Sequence, residues 1–304
     1  MTNSILSRLN PPSGIIDAIL DTDTYNEIDD QFALSYMLRS VERVNVKAVY
    51  AAPFFNANSV SPEDGMLKSY AEIRTLLRLA GREDLNGSAF EGSRRYLPSE
   101  TEPVDSPAAR DLAARAALYS EARPLYVVAI GAITNVASAI LMDPGIAKNM
   151  VVVWLGGHSL EWPDTNEFNM MQDVAAARVV FDSDAAVVQL PCCGVVDHFT
   201  VTEPELRAWF IGKNALCDHL AYATIDAANQ YAKGKPWSRV IWDVTAVAYL
   251  LNDNDRFMNS RVIPAPICQY DHHYSRDPRR HPSRYVWNIR RDALMADLIE
   301  KLTK

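Results

Sequence analysis

The 304-residue chain is 48% hydrophobic and 22% charged, which excludes a disordered or low-complexity protein and supplies enough apolar residues for a large core. Its net charge is -8, and lysine and arginine are scattered except for a cluster over 276–291, so nucleic acid is excluded as a main partner. The opening "MTNSILSRLNPPSGIIDAIL" lacks the succession of basic flank, apolar run and small-residue cleavage site, and no window reaches a membrane span; a cytoplasmic protein with no membrane partner is expected.

Along the chain, short apolar and β-branched runs alternate with helical patterns. The runs are "IIDAIL" (15–20), "VNVKAVYAA" (44–52), "LYVVAIG" (125–131), "MVVVWLGG" (150–157) and "AAVVQLP" (185–191). Between them, "DQFALSYMLRS", "GMLKSYAEIRTLLRLAG", "AITNVASAILMD" and "DVAAARVVFDS" carry apolar residues at helical spacing. This order predicts parallel βαβ units, hence an α/β fold with an open, mostly parallel sheet flanked by helices. From about residue 200 the chain reads as more helical, with one long pattern over 203–234 and another in "WDVTAVAYLLND", and it then becomes polar, aromatic and arginine-rich over 269–292. No linker or internal repeat divides it, so one domain over 1–304 is expected.

Ligands of open parallel sheets bind beyond the carboxyl ends of the strands, which directs attention to the residues after each run. After the first run, "LDTDTYNEIDD" brings together Asp21, Asp23, Glu27, Asp29 and Asp30. Helix capping accounts for one or two carboxylates at a helix N-terminus. Several at a buried strand end cost several kcal/mol unless a cation compensates them. Carboxylate and carbonyl oxygens suit calcium or magnesium, and a spare carboxylate beside activated water can serve as general base.

The same stretch resembles the N-terminal aspartate motif of the inosine-uridine preferring nucleoside hydrolase family, in which a DxD is followed a few residues later by DD. Here Thr24 to Ile28 make five intervening residues, where the family typically has three. Further segments resemble the family in the same order: "AIGAITNVASAILMDP" (129–144), "VVVWLGGH" (151–158), "NEFNMMQDVAAARVVF" (166–181) and "WDVTAVAYLLN" (242–252). The resemblance implies a Rossmann-like core and the hydrolysis of a ribonucleoside to ribose and free base by a calcium-bound water. It implies that Asp23, Asp30, Asp243 and the carbonyl of Thr134 hold Ca2+ and that Asp29 is the general base. Asn56, Glu167 and Asn169 would bind the ribose hydroxyls, with Leu155 under the sugar. It further suggests a small-molecule nucleoside as partner and a homodimer or homotetramer.

Where many family members carry histidine before the late aspartate, this chain has Trp242, suited either to stacking on a base or to the core. His272, His273 and Tyr274, in the late polar segment, are candidates for the side of the leaving base, with His281 a further possible donor. Arg276, Arg280 and Arg284 fit surface ion pairs or, alternatively, a substrate phosphate. Cys192, Cys193, Cys217 and Cys268 form no CxxC pair and no zinc-finger spacing; the adjacent pair reads as small buried hydrophobes. Two other functions stay open: a non-catalytic nucleoside- or sugar-binding homologue, and a magnesium-dependent phosphohydrolase, whose apolar-strand-DxD signature "ILDTDTY" also resembles.

Overall fold

In the computed structural model, which describes residues 2–304, the predicted runs form strands because each buries side chains on both faces of one sheet. The strands are β1 (Ile16–Thr22), β2 (Val44–Ala51), β3 (Ala89–Phe90), β4 (Leu125–Ala129), β5 (Met150–Leu155), β6 (Ala186–Leu190), β7 (Thr200–Val201), β8 (Arg239–Val240), β9 (Met258–Pro264), β10 (Ile267–Cys268), β11 (Tyr274–Ser275) and β12 (Pro282–Ile289). Eight of them make the main sheet in the order β3-β2-β1-β4-β5-β6-β12-β9. Every neighbouring pair is parallel except β12 and β9.

The helices are α1 (Thr2–Arg8), α2 (Ile28–Leu38), α3 (Pro62–Leu79), α4 (Pro107–Ala116), α5 (Thr134–Met142), α6 (Phe168–Gln172), α7 (Val174–Asp182), α8 (Glu203–Trp209), α9 (Ala215–Ala232), α10 (Val244–Tyr249) and α11 (Arg291–Thr303). Successive β1 residues divide between two apolar layers: Ala18 and Leu20 pack with α2, α3, α9, α10 and α11, and Ile19 packs with α4, α5 and α7. Burial on both faces is why β4 and β5 read as unbroken apolar runs rather than alternating ones.

The helical pattern over 203–234 forms two helices: Gly212 takes a φ of +80° and Asn214 caps α9 by accepting the Cys217 N–H at 2.9 Å, so α8 and α9 are separate. One expectation needs correction, that of a helical and loop-rich part from about residue 200. The polar segment 269–292 contains β12, which adds to the parallel sheet beside β6 and carries β9 on its outer side. Its buried Tyr285, Val286 and Ile289 are interspersed with Arg284 and Asn288, so it lacks a continuous apolar run. Among the described residues, no helix is long and apolar enough to cross a membrane.

The connection from β1 goes to β2 on one side, and β4 lies on the other, so the strand order reverses between β1 and β4. A crevice forms at such a switch point outside the carboxyl ends of the strands. The loop from β1 to α2 and the loop from β4 to α5 face it, which is where the acidic stretch and "GAITN" lie.

Candidate active site

A cavity of about 360 Å³ opens at this edge, lined by residues that follow four strands: Asp29 and Asp30 after β1, Ile130 after β4, Leu155 and His158 at and after β5, and Cys192 and Cys193 after β6. Asp243, immediately before α10, completes it from the far end of the chain. Asp29, Asp30 and Asp243 are buried, and each offers an oxygen within 4.8 Å of the others.

Asp23 is fully buried and neither of its carboxylate oxygens has a hydrogen-bond partner among the described residues; Asp29 Oδ1 is likewise unpartnered. Asp30 accepts the Thr22 hydroxyl at 2.6 Å. Burial, followed by the repulsion of neighbouring carboxylates, holds Asp23, Asp30 and Asp243 well above the usual carboxylate range. Burial and Glu27 push Asp29 up to about 7, against the opposing pull of Arg239. Asp21 stands apart from this set. Burial pushes it up to about 7 as well, but the Asn135 side chain donates to it at 2.8 Å, which makes it a strut between β1 and α5.

Buried carboxylates without donors are costly as anions, and a cation among them removes that cost. The oxygen-only donor set fits a hard divalent cation rather than a soft one. Gly131 contributes by absence: a Cβ there would meet Asp23 Oδ1 at 2.8 Å, so the segment after β4 approaches Asp23 closely. Thr134 heads α5, fully buried, and its hydroxyl donates to Asp173 at 2.7 Å; its side chain is structural and it is not in the cavity lining.

The remaining predicted residues divide into two groups. Asn56, Leu155, Glu167 and Asn169 all line the cavity. Glu167 caps α6, accepting the N–H groups of Asn169, Met170 and Gly157 at 2.8–2.9 Å. Asn169 gives both amide hydrogens to the carbonyls of Ile130 and Leu155, at 3.2 and 3.0 Å, leaving its own carbonyl oxygen as the uncommitted end. Asn56 donates to Asn26 of the long aspartate loop at 2.5 Å. Trp242 both lines the cavity and packs on the core.

His272, His273 and Tyr274 do not line the cavity. The His272 backbone, at a φ of +60°, ties the turn to Gln269 and Thr165, and His273 is exposed beside Asp271. The Tyr274 hydroxyl lies behind the lining, where it accepts from Gln189 at 2.7 Å and donates to the His158 carbonyl at 3.3 Å. Arg276, Arg280 and Arg284 lie outside the lining too; they bond to Leu160, to Asp182 with Ala265 and Phe181, and to Ser260 with Asn10. His281 bonds to the Phe181 carbonyl. Cys192 is buried as expected, while Cys193 is half-buried and both face the cavity.

Sequence reading missed Asn26, Ile130, His158, Asn166, Phe168 and Arg239 in the lining, and Glu27 enters it from the acidic stretch already singled out. His158 was within reach of the strand-end rule, since it follows β5 and Gly156-Gly157. Arg239 carried no local signal: it arrives from β8 and pairs with Glu27 at 2.5 Å.

An acidic cavity at the switch point of a parallel sheet defines an α/β protein with a cation-compatible carboxylate centre, and its fold is shared with solved nucleoside hydrolases. A plant nucleoside hydrolase, PpNRh1, aligns over 96% of this chain and 99% of its own at a TM-score of 0.74 and 19% identity. A purine-preferring ribonucleoside hydrolase from Gardnerella vaginalis aligns over 94% and 98% at a TM-score of 0.72 and 18% identity. The sequence model of the inosine-uridine preferring nucleoside hydrolase family matches residues 18–273, and the chain belongs to that family. Among curated relatives, the non-specific ribonucleoside hydrolase RihC of Salmonella typhimurium is 25% identical over 217 residues, which is 70% of this chain and 66% of that protein's length.

Proposed function

We propose that this protein hydrolyses the N-glycosidic bond of a ribonucleoside, releasing ribose and the free base, with a calcium ion at the carboxylate centre. The observation that carries the reading is the buried set Asp29, Asp30 and Asp243 beside an Asp23 whose carboxylate oxygens find no donor. Asp23, Asp30 and Asp243, with the Thr134 carbonyl, would hold the ion. When bound, it supplies positive charge that polarises water and offsets the buried carboxylates.

Asp29, the remaining carboxylate of the buried set, then takes the proton of the attacking water as general base. Cleavage of an N-ribosidic bond builds oxocarbenium character on the sugar, as O-glycoside cleavage does. The Asn169 carbonyl oxygen, Glu167 and Asn56 hold the ribose hydroxyls and surround that charge with oxygen, while Leu155 packs beneath the ring. The partner is a small-molecule nucleoside, and we extend the proposal to a homodimer or homotetramer.

The test is ribose release, by reducing-sugar assay, from a panel of purine and pyrimidine ribonucleosides, with calcium supplied or chelated. Wild type should release ribose from at least one member with calcium, and Asp29→Ala should lose about a thousandfold or more. Tight calcium binding without cleavage of any nucleoside would overturn the reading in favour of a binding protein.

A further inference from the structure

Cleaving an N-ribosidic bond sends an electron pair onto the base, and a donor that meets that charge lowers the barrier. Trp242 offers no imidazole, and the late histidines are outside the lining. One imidazole does line the cavity: His158.

Its position is built rather than incidental. Beyond the ends of β5 and β6 the two chains continue to pair: the Gly156 N–H donates to the Leu190 carbonyl at 3.2 Å, Cys192 N–H to Gly157 at 2.8 Å, and Ser159 N–H to Cys193 at 3.0 Å. Gly157, at a φ of +75°, makes the turn that leads into His158. The Tyr274 hydroxyl holds the His158 carbonyl from behind, and the ring lies against Trp162 with centroids 5.7 Å apart and planes tilted by 56°.

The Cys193 N–H donates to His158 Nδ1 at 3.3 Å. An accepting Nδ1 requires the ring proton of the neutral imidazole to sit on Nε2. Among the described residues Nε2 has no hydrogen-bond partner. Burial lowers the proton affinity of the ring against the opposing pull of Asp164 and Asp197, and a second proton on Nδ1 would also confront the Cys193 N–H donor with another donor, so both favour the neutral ring.

We propose that His158 is the leaving-group donor of this site: its Nε2–H hydrogen-bonds an acceptor atom of the departing nucleobase, a ring nitrogen or carbonyl oxygen, and strengthens as negative charge develops there. This rests on the hydrolase reading. The C1′–N bond breaks with its electron pair going to the base, water oxygen bonds to C1′, and water's proton goes to Asp29. His158 keeps its own proton, and the base is protonated from solvent after departure. Trp162, tilted on the imidazole and 44% exposed, packs against the ring without itself lining the cavity.

The experiment compares the best-cleaved natural nucleoside with p-nitrophenyl riboside, whose leaving group departs as a stable anion and needs no donor. With calcium supplied, His158→Phe should lower kcat on the nucleoside about a hundredfold and on the nitrophenyl riboside by no more than about threefold. His158→Gln, whose amide can replace the Nε2–H, should recover at least about tenfold on the nucleoside. Equal losses on both substrates, or no rescue by glutamine, would overturn the assignment while leaving the hydrolase reading intact.

A second measurement is independent of turnover. In the 15N-imidazole spectrum of the wild-type protein, the His158 signals, identified by their absence in His158→Gln, should report the Nε2–H tautomer. The Nε2 resonance should move when hypoxanthine or uracil is added. An Nδ1–H tautomer, or no movement with either base, would refute the donor. If the wild type cleaves no riboside yet Nε2 moves, the hydrolase reading and the leaving-group role fall together and only a base contact at His158 stands.

Discussion

Asp29 and Asp243 bring carboxylate oxygens within 4.8 Å of each other, although one lies in the first turn of the helix after the first strand and the other precedes a helix near the opposite end of the chain. Two buried carboxylates share a hydrogen bond only when one carries a proton, and they tolerate each other as anions only when a cation lies between them. Asp243→Asn removes one charge while keeping the shape. In chelator, the variant should therefore melt a few degrees higher than wild type, since mutual repulsion falls by about 1 kcal/mol or more. Calorimetric titration should show calcium affinity down by about tenfold to a hundredfold. A variant that binds calcium as wild type does would remove Asp243 from the ligand set.

The raised carboxyls set a pH dependence with a definite sign. Asp21 and Asp29 move from an ordinary 3.8 to about 7 in the folded protein. A carboxyl that binds its proton more tightly when folded stabilises the fold below the unfolded value, and that contribution is lost as pH rises through the folded value. In the cation-free protein the melting temperature should accordingly fall between about pH 4 and pH 7 on account of these two groups. Calcium should raise it far more at pH 7.5 than at pH 5, because protons and cation compete for the same oxygens. Thermal melts at both pH values, with calcium and with chelator, measure it; a calcium increment equal at the two values would contradict the account.

How much of this was legible follows from where each signal lies. β1, β4 and β5 are buried on both faces, so their apolar runs announced them. The aspartates stood out because four carboxylates at a strand end contradict every local preference. β12 was hidden because it sits next to the sheet edge and mixes Arg284 and Asn288 with its buried residues. Arg239 and Asp243 reach the cavity only through the tertiary fold; Asp243 was found by resemblance, and Arg239, lacking one, was missed. The late histidines misled for the converse reason. Their composition suits proton transfer, but the turn at His272 carries its ring away from the cavity lining and Tyr274 is left to brace His158.

Asn169 offers a test of the sugar side. Its amide hydrogens are fixed by the carbonyls of Ile130 and Leu155, so its free oxygen is held in one orientation, ready to accept from a hydroxyl. Asn169→Leu leaves those two buried carbonyls without their donor and removes the acceptor, at a cost of about 1–3 kcal/mol. Steady-state kinetics on the best nucleoside should show kcat/KM lower by roughly tenfold to a hundredfold, with calcium affinity unchanged. Unchanged kinetics would place the ribose elsewhere in the cavity.

Gly131 provides the sharpest separation of site from scaffold. A methyl group there would meet Asp23 Oδ1 at 2.8 Å and the Ala52 Cβ at 3.0 Å. Of the two neighbours, Asp23 is the one free to yield, because no hydrogen bond fixes its carboxylate, whereas Ala52 belongs to the backbone directly after β2 and its N–H is bonded to Thr22 at 2.8 Å. Displacement of Asp23 by a few tenths of an ångström disturbs a ligand geometry more than it disturbs packing. Gly131→Ala should therefore weaken calcium binding and ribose release by about tenfold or more. Stability in chelator should fall only by about 1–2 kcal/mol, the range for a tight overpacked contact. Gly87→Ala is the matched control, since a Cβ at that position meets nothing within 4 Å and lies far from the lining. If Gly131→Ala lowers the melting temperature in chelator steeply while the protein that remains folded binds calcium normally, Ala52 and not Asp23 has given way, and the close approach serves the fold rather than the cation.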